Sequence, residues 1–178
     1  LKEDSPDIHF QDTVSSGRSL SNRSLVRILV NEALERVLEL ERFGTGIATE
    51  DGKIKVLPYG GSTHPRCIAT RDPYTGGFVE GLLKEAKRVG VRFLDKMMVI
   101  SLLQSDRSVV GAIGMDLKTG ELRVLKAKAT VLATGGGSQV FPLTTNPPDL
   151  TGDGYALAYD AGAVLQDMEF VQFRASIV

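Results

Sequence analysis

A run that is apolar or β-branched at every position, Ala129-Thr130-Val131-Leu132-Ala133, leads directly into Thr134-Gly135-Gly136-Gly137 and constrains this chain more than any other feature. Continuous rather than alternating hydrophobicity suits a strand buried on both faces of a mainly parallel sheet. In open α/β sheets ligands bind beyond the carboxyl ends of the strands. Glycines there let backbone approach a large flat or phosphorylated ligand, because no Cβ stands in the way. A glycine-rich turn without a ligand satisfies the same pattern, so the motif alone leaves both readings open.

The rest of the chain supplies elements that can surround such a sheet. After a polar start, Ser21 or Asn22 can cap a helix over 22–43, in which Leu25, Ile28, Leu29, Leu34, Val37, Leu38 and Leu40 recur near the helical period. Gly44 and Gly46 end it, and Asp51-Gly52 turns the chain into a short strand. A turn-rich loop follows. Thr75 can then cap a second helix, over 75–89, burying Phe78, Leu82, Leu83 and Ala86. Short β-rich runs occupy 91–94, 97–104, 109–116 and 121–126. Tight turns at 105–108 and 118–120 predict that the last three form an antiparallel meander. A small-residue helix over 155–161 and a strand at 163–165 complete the pattern. The fold class is α/β: a mainly parallel sheet, a three-stranded antiparallel meander and flanking helices, expected to act as a single domain over 1–178.

Composition narrows the function. Lys and Arg total 21 against 22 Asp and Glu, so there is no basic field to gather nucleic acid or anionic lipid. No apolar run approaches the roughly 20 residues a spanning helix needs, so direct membrane insertion is not expected. The one cysteine, Cys67, has no second Cys for a disulfide or a metal motif, which fits a reducing, cytoplasmic setting. With only His9 and His64 beside it, neither a zinc site nor a Cys–His pair is expected, and both histidines read as structural or loop residues.

A second chemical signal is Thr151-Gly152-Asp153-Gly154 at a helix start. Thr151 can cap, and the flanking glycines let backbone and the Asp153 carboxylate approach a sugar hydroxyl together. An acidic residue in a first turn is favoured by the helix dipole in any case, so capping alone explains Asp153 equally well. A complete Gly-x-Gly-x-x-Gly is absent: Thr49 stands where the third glycine should follow Gly44-x-Gly46, and Val140 where it should follow Gly135-x-Gly137.

Taken together, Ala133-Thr134-Gly135-Gly136-Gly137, Phe141-Pro142-Leu143-Thr144-Thr145-Asn146, Thr151-Gly152-Asp153-Gly154 and Asp167-Met168-Glu169-Phe170-Val171-Gln172-Phe173 resemble the flavoprotein family of succinate dehydrogenase, fumarate reductase and L-aspartate oxidase. Asp4-Ser5-Pro6, His9-Phe10-Gln11-Asp12-Thr13, Arg66 and Asp72-Pro73-Tyr74-Thr75-Gly76 extend the likeness upstream. The resemblance implies a partial glutathione-reductase-like FAD-binding domain and a hydride passed between FAD and a dicarboxylate. Thr134, Gly135 and Gly136 match residues lying along the FAD, Asp153 an acidic FAD contact, and Val99 a position whose backbone meets the adenine portion. It also implies a dicarboxylate substrate and leaves room for an iron–sulfur partner subunit, with the protein peripheral on the inner face of a membrane through its partners.

Two departures qualify this. Where the family carries Phe-His-Pro-Thr, this chain reads Phe173-Arg174-Ala175-Ser176. Arg174 can grip a substrate carboxylate through a bidentate fork but cannot titrate near neutrality, and a surface charge is an equal reading. The family's dinucleotide fingerprint and capping domain are also missing from the 178 residues, which open on Leu1. The chain is therefore expected to be an internal piece that binds FAD weakly and turns nothing over alone. The alternatives are a flavin or nicotinamide oxidoreductase with another substrate, and a non-catalytic remnant or assembly module.

Overall fold

The computed structural model of the chain describes residues 3–71 and 77–173. They form two compact units, Leu1–Phe93 and Leu94–Val178.

The first unit begins with a helix that the polar composition of the start concealed. Helix α1, Pro6–Ser16, is specified by its ends: Ser5 Oγ accepts the Ile8 N–H at 3.2 Å, Pro6 fills the first turn, and Asp7 lies against the positive end of the helix dipole. Helix α2, Arg23–Arg42, follows, capped by Asn22 Oδ1, which accepts from Ser24 and Leu25 N–H. Each such cap is worth about 1 kcal/mol. Phe10 and Val14 of α1 meet Val26 and Val30 of α2 in a small core, and burying side chains of this size stabilises by roughly 1.5–3 kcal/mol each. The guanidinium carbons of Arg23 and Arg27 stack over the Phe10 ring at 5.0 and 4.0 Å.

Beyond α2, Gly44 and Gly46 take φ of 80° and 65°, as expected of a helix stop. The next residues carry the most deeply buried side chains of the described chain, Thr45 and Ile47. Strands β1, Thr49–Glu50, and β2, Lys53–Ile54, form a hairpin about Asp51-Gly52, both at positive φ. Strands β3, Val56–Leu57, and β4, Cys67–Ile68, pair antiparallel. Helix α3, Gly77–Arg88, then lies against the Thr45 segment. The expected cap, Thr75, lies outside the described residues. Against expectation, α3 buries its glycine face at Gly81 and leaves Leu82 and Leu83 exposed. Glycines one turn apart let backbone approach backbone, and nothing among the described residues covers the leucine face.

The second unit is the meander: β5, Met97–Ser105; β6, Ser108–Asp116; and β7, Leu122–Lys126, antiparallel in that order. Both expected turns hold. Asp106 takes φ 55° between β5 and β6, and Asp116 Oδ1 accepts the N–H of Lys118 and Thr119 between β6 and β7. Two bulges bend the sheet, at Ile100 on β5 and Val110 on β6. Helix α4, Asp153–Asp160, packs on β5, tied at its far end by Gln104 Nε2, which donates to Ala161 O at 2.7 Å.

The parallel part of the expected sheet is not present among the described residues, where every pairing is antiparallel. Residues 129–133 are not a paired strand, and Val131 is 86% exposed. Residues 91–94 and 163–165 are likewise unpaired, with Val164 at the surface. A run of strand composition becomes a strand only when a neighbour supplies the other half of its hydrogen bonds. For these three runs none of the described residues does so.

Candidate functional site

Within the second unit the two glycine turns meet. Gly135 takes φ 75° and Gly152 φ 85°, conformations that bend the backbone sharply at both places. A Cβ placed on Gly137 would stand 3.2 Å from Gly152 Cα, and one placed on Gly152 would stand 3.3 Å from Gly137 Cα. The two turns therefore cross backbone on backbone. One step along, Thr134 Oγ1 occupies the place a Gly154 side chain would need, which brings Thr134 against the first turn of α4 beside Asp153. Around Gly136 a Cβ would meet nothing within 4 Å, so this stretch of backbone is open.

The polar groups at the crossing are only partly used within the chain. Thr151 does not cap α4 as expected, because its hydroxyl donates to Asp153 Oδ2. The N-cap position belongs instead to Gly152, and no side chain among the described residues satisfies the first-turn N–H groups. The Asp153 carboxylate is exposed beside them. Ser138 Oγ, at the start of the short 3-10 turn Ser138–Val140, is buried and has no protein partner among the described residues. Open glycine backbone, uncapped helix N–H groups and an exposed carboxylate suit a ligand that carries both phosphate and sugar hydroxyls.

The remaining predicted residues are placed less tightly. Val99 lies on β5, opposite Gly114 and next to the Ile100 bulge, on a strand whose outer edge has no partner among the described residues. That leaves backbone groups there for recognition. The link from β5 to α4 is made further along, at Gln104 and Ala161, rather than at Val99 itself. Arg174 lies outside the described residues.

The first unit holds a charged cluster that sequence reading did not assemble. Arg66 donates from Nε and Nη2 to the two oxygens of Asp4 at 2.9 and 2.7 Å, and from Nη1 to Asp12 at 2.6 Å. Thr63 adds its hydroxyl and N–H to Asp12 at 2.6 and 2.8 Å. These bonds strap the loop after β3 onto α1. The three charged side chains are only 14–17% exposed. The Thr63 hydroxyl first, then Arg66 and the Thr63 N–H, hold the Asp12 carboxyl down at about 2. Burial, then the Arg66 charge, keeps the His9 imidazole below its ordinary value. Since the folded Asp12 value lies below the 3.8 of a free carboxyl, its contribution to stability is complete above that pH. It is lost as pH falls through about 2. The thermal midpoint, followed by circular dichroism, should drop between pH 4 and pH 2, and D12N should flatten that drop while lowering the midpoint at neutral pH.

Two glycine turns cross backbone on backbone in the unit that holds the antiparallel meander, and comparison with known proteins assigns the chain to a family. Residues 1–175 match the model of the FAD binding domain family. The chain belongs to this family, it is similar to fumarate reductase and succinate dehydrogenase flavoprotein subunits and L-aspartate oxidases, and its cofactor is FAD. It is 45% identical over 168 residues to an FAD-dependent oxidoreductase of Methanocaldococcus jannaschii, covering 93% of this chain and 31% of that protein. It is 38% identical over 174 residues to the fumarate reductase flavoprotein subunit of Mycobacterium tuberculosis, covering 97% and 30%. The FrdA chain of E. coli quinol fumarate reductase superposes with a TM-score of 0.91 at 31% identity, over 96% of this chain and 29% of that one. The chain thus spans under a third of the length of these proteins. The fold class is a partial FAD-binding domain of this group, its helices and small antiparallel sheets agreeing with the solved structures. No helix among the described residues is long and apolar enough to cross a membrane.

Proposed function

We propose that this chain is the FAD-holding part of a flavoprotein that passes a hydride between the flavin and a small dicarboxylate, of the succinate/fumarate or L-aspartate type. The observation that carries the reading is the backbone crossing of Gly137 and Gly152, with Thr134 and Asp153 beside it. Thr134, Gly135 and Gly136 would line the cofactor with backbone. Asp153 would accept from a hydroxyl of the sugar portion, and Val99 would offer backbone to the base. FAD supplies the hydride chemistry when bound, and this chain positions the cofactor and excludes groups that would compete for it. Arg174 would hold a substrate carboxylate through two parallel hydrogen bonds. The likeness to flavoprotein subunits of fumarate reductases supports docking of an iron–sulfur partner subunit, which would bring a cytoplasmic protein to the inner face of a membrane without inserting it.

The test is single-turnover reoxidation. The full-length flavoprotein, reduced anaerobically, is mixed with fumarate or oxaloacetate-derived imine, and the oxidised protein with succinate or L-aspartate. Oxidation or reduction of the flavin by one of these pairs is the expected result. If the flavin responds to none of them yet binds stoichiometrically, the dicarboxylate assignment fails while the cofactor assignment stands. Arg174, where the family has histidine, favours a second reading in which the carboxylate substrate is a different one, so the same experiment extends to monocarboxylates.

A further inference from the structure

The two limbs of the crossing are separated by a loop, and a single side chain spans it. Gln139 Nε2 donates to Asn146 O at 3.1 Å and to Pro147 O at 3.0 Å. The Gln139 N–H donates to Leu150 O at 3.0 Å, and the Leu150 N–H to Pro147 O at 3.2 Å. Leu150 then places its Cδ2 2.8 Å from where a Gly135 Cβ would be, and Gly152, two residues on, crosses Gly137. A carboxamide nitrogen has two hydrogens, and Gln139 directs them at two successive carbonyls. Without that link the loop ends are held by the Gln139–Leu150 backbone bond and the Leu150 side chain against Gly135, and closing the loop carries an entropic cost that Pro142, Pro147 and Pro148 reduce but do not remove.

We propose that Gln139 is a positioning residue for the bound flavin: by holding the Asn146 and Pro147 carbonyls it sets the gap between the two glycine turns. It touches the loop, and acts on the cofactor through Leu150 and Gly152. This rests on the reading of the crossing as the FAD site.

The experiment uses the full-length flavoprotein with Q139E, Q139A and Q139R, and with G137V as a control on the site itself. Glutamate keeps the shape but has no donors and turns oxygen toward oxygen. Arginine keeps several donors on a stem long enough to reach both carbonyls. Losing two hydrogen bonds should raise the FAD dissociation rate about tenfold or more in Q139E and Q139A, and change the visible circular dichroism of the flavin at saturating FAD. Q139R should restore both, and the thermal midpoint of the apoprotein should hardly move in any of the three. The proposal is overturned if Q139E or Q139A keeps the wild-type dissociation rate. It is equally overturned if Q139R fares no better than Q139A, or if apoprotein stability falls in step with affinity. Should Q139E fail to fold, the comparison of Q139A with Q139R decides. If G137V itself retains FAD, the site reading fails and Gln139 falls with it. If G137V loses FAD while the Gln139 variants do not, only Gln139 is dismissed.

Discussion

In the full-length flavoprotein, replacing Gly154 by alanine should weaken FAD binding, and replacing it by valine should abolish it. Gly154 is buried in the first turn of α4, and the position of its missing Cβ is already taken by Thr134 Oγ1. Threonine is branched at Cβ and has few rotamers. With its own Cβ 3.2 Å from the would-be methyl and its Cγ2 at 3.6 Å, turning the side chain only exchanges one close contact for another. The added methyl must therefore push the two turns apart. Overpacking of this kind costs about 1–3 kcal/mol, and at a crossing where backbone meets backbone the displacement falls on the cofactor site itself. FAD affinity should fall by about tenfold in G154A and by far more in G154V, measured by fluorescence titration of the apoprotein. The double variant T134A/G154A tests the cause: removing the threonine's outer atoms should recover the thermal midpoint, and recover affinity only in part if the hydroxyl also touches the cofactor. A G154A protein that keeps the parent's FAD affinity would remove the crossing from the cofactor site.

Local chemistry was readable in the sequence wherever a few adjacent residues decide it. Helix α2 starts one residue from its expected position because Asn22 is a cap, and ends where two glycines allow positive φ. The meander strands and both of their turns follow from β-rich composition and turn residues within about 30 positions. Helix α1 was missed although Ser5-Pro6-Asp7 is a start signal, because only Phe10 and Val14 of its residues are buried and its apolar period is correspondingly faint. The parallel strand failed for a different reason. The composition of residues 129–133 states what environment the run prefers, and pairing depends on a neighbour that none of the described residues supplies.

The site divides in the same way. Glycine motifs point to a close backbone approach, so the turns at 134–137 and 151–154 were legible as candidates, and the structure brings them against each other. That Gly137 would meet Gly152, and that Thr134 would fill the place of a Gly154 side chain, depends on the loop between them and could not be read from spacing. Gln139 carried no signal, since a glutamine beside a glycine turn is commonplace until its two acceptors are seen seven and eight residues on. The Arg66 cluster joins residues 54 and 62 positions apart, and charge separation of that kind leaves no local trace.

The second large effect is expected in the first unit, where G81A should destabilise even though alanine is the better helix former. In an exposed helix interior the exchange would gain about 1 kcal/mol. Here α3 crosses the segment after α2 at its glycines: a Cβ on Gly81 would stand 2.8 Å from both Thr45 N and Thr45 Cα, and 2.6 Å from Thr45 Cγ2, and one on Gly77 would stand 2.8 Å from Thr45 O. Backbone atoms cannot rotate out of the way. Thr45 is also held, being 1% exposed with its hydroxyl donating to Leu40 O at 3.0 Å, and the neighbouring Ile47 is wholly buried. The helix must therefore lift, uncovering these two side chains, and the net loss should be about 2–3 kcal/mol, read as a lower urea midpoint with little change in slope. T45S is the discriminating partner: it removes Cγ2 but leaves the backbone contacts, so T45S/G81A should be no more stable than G81A. Rescue by T45S would mean that the methyl alone sets the spacing, and a G81A protein more stable than the parent would mean that α3 does not rest on Thr45 at all.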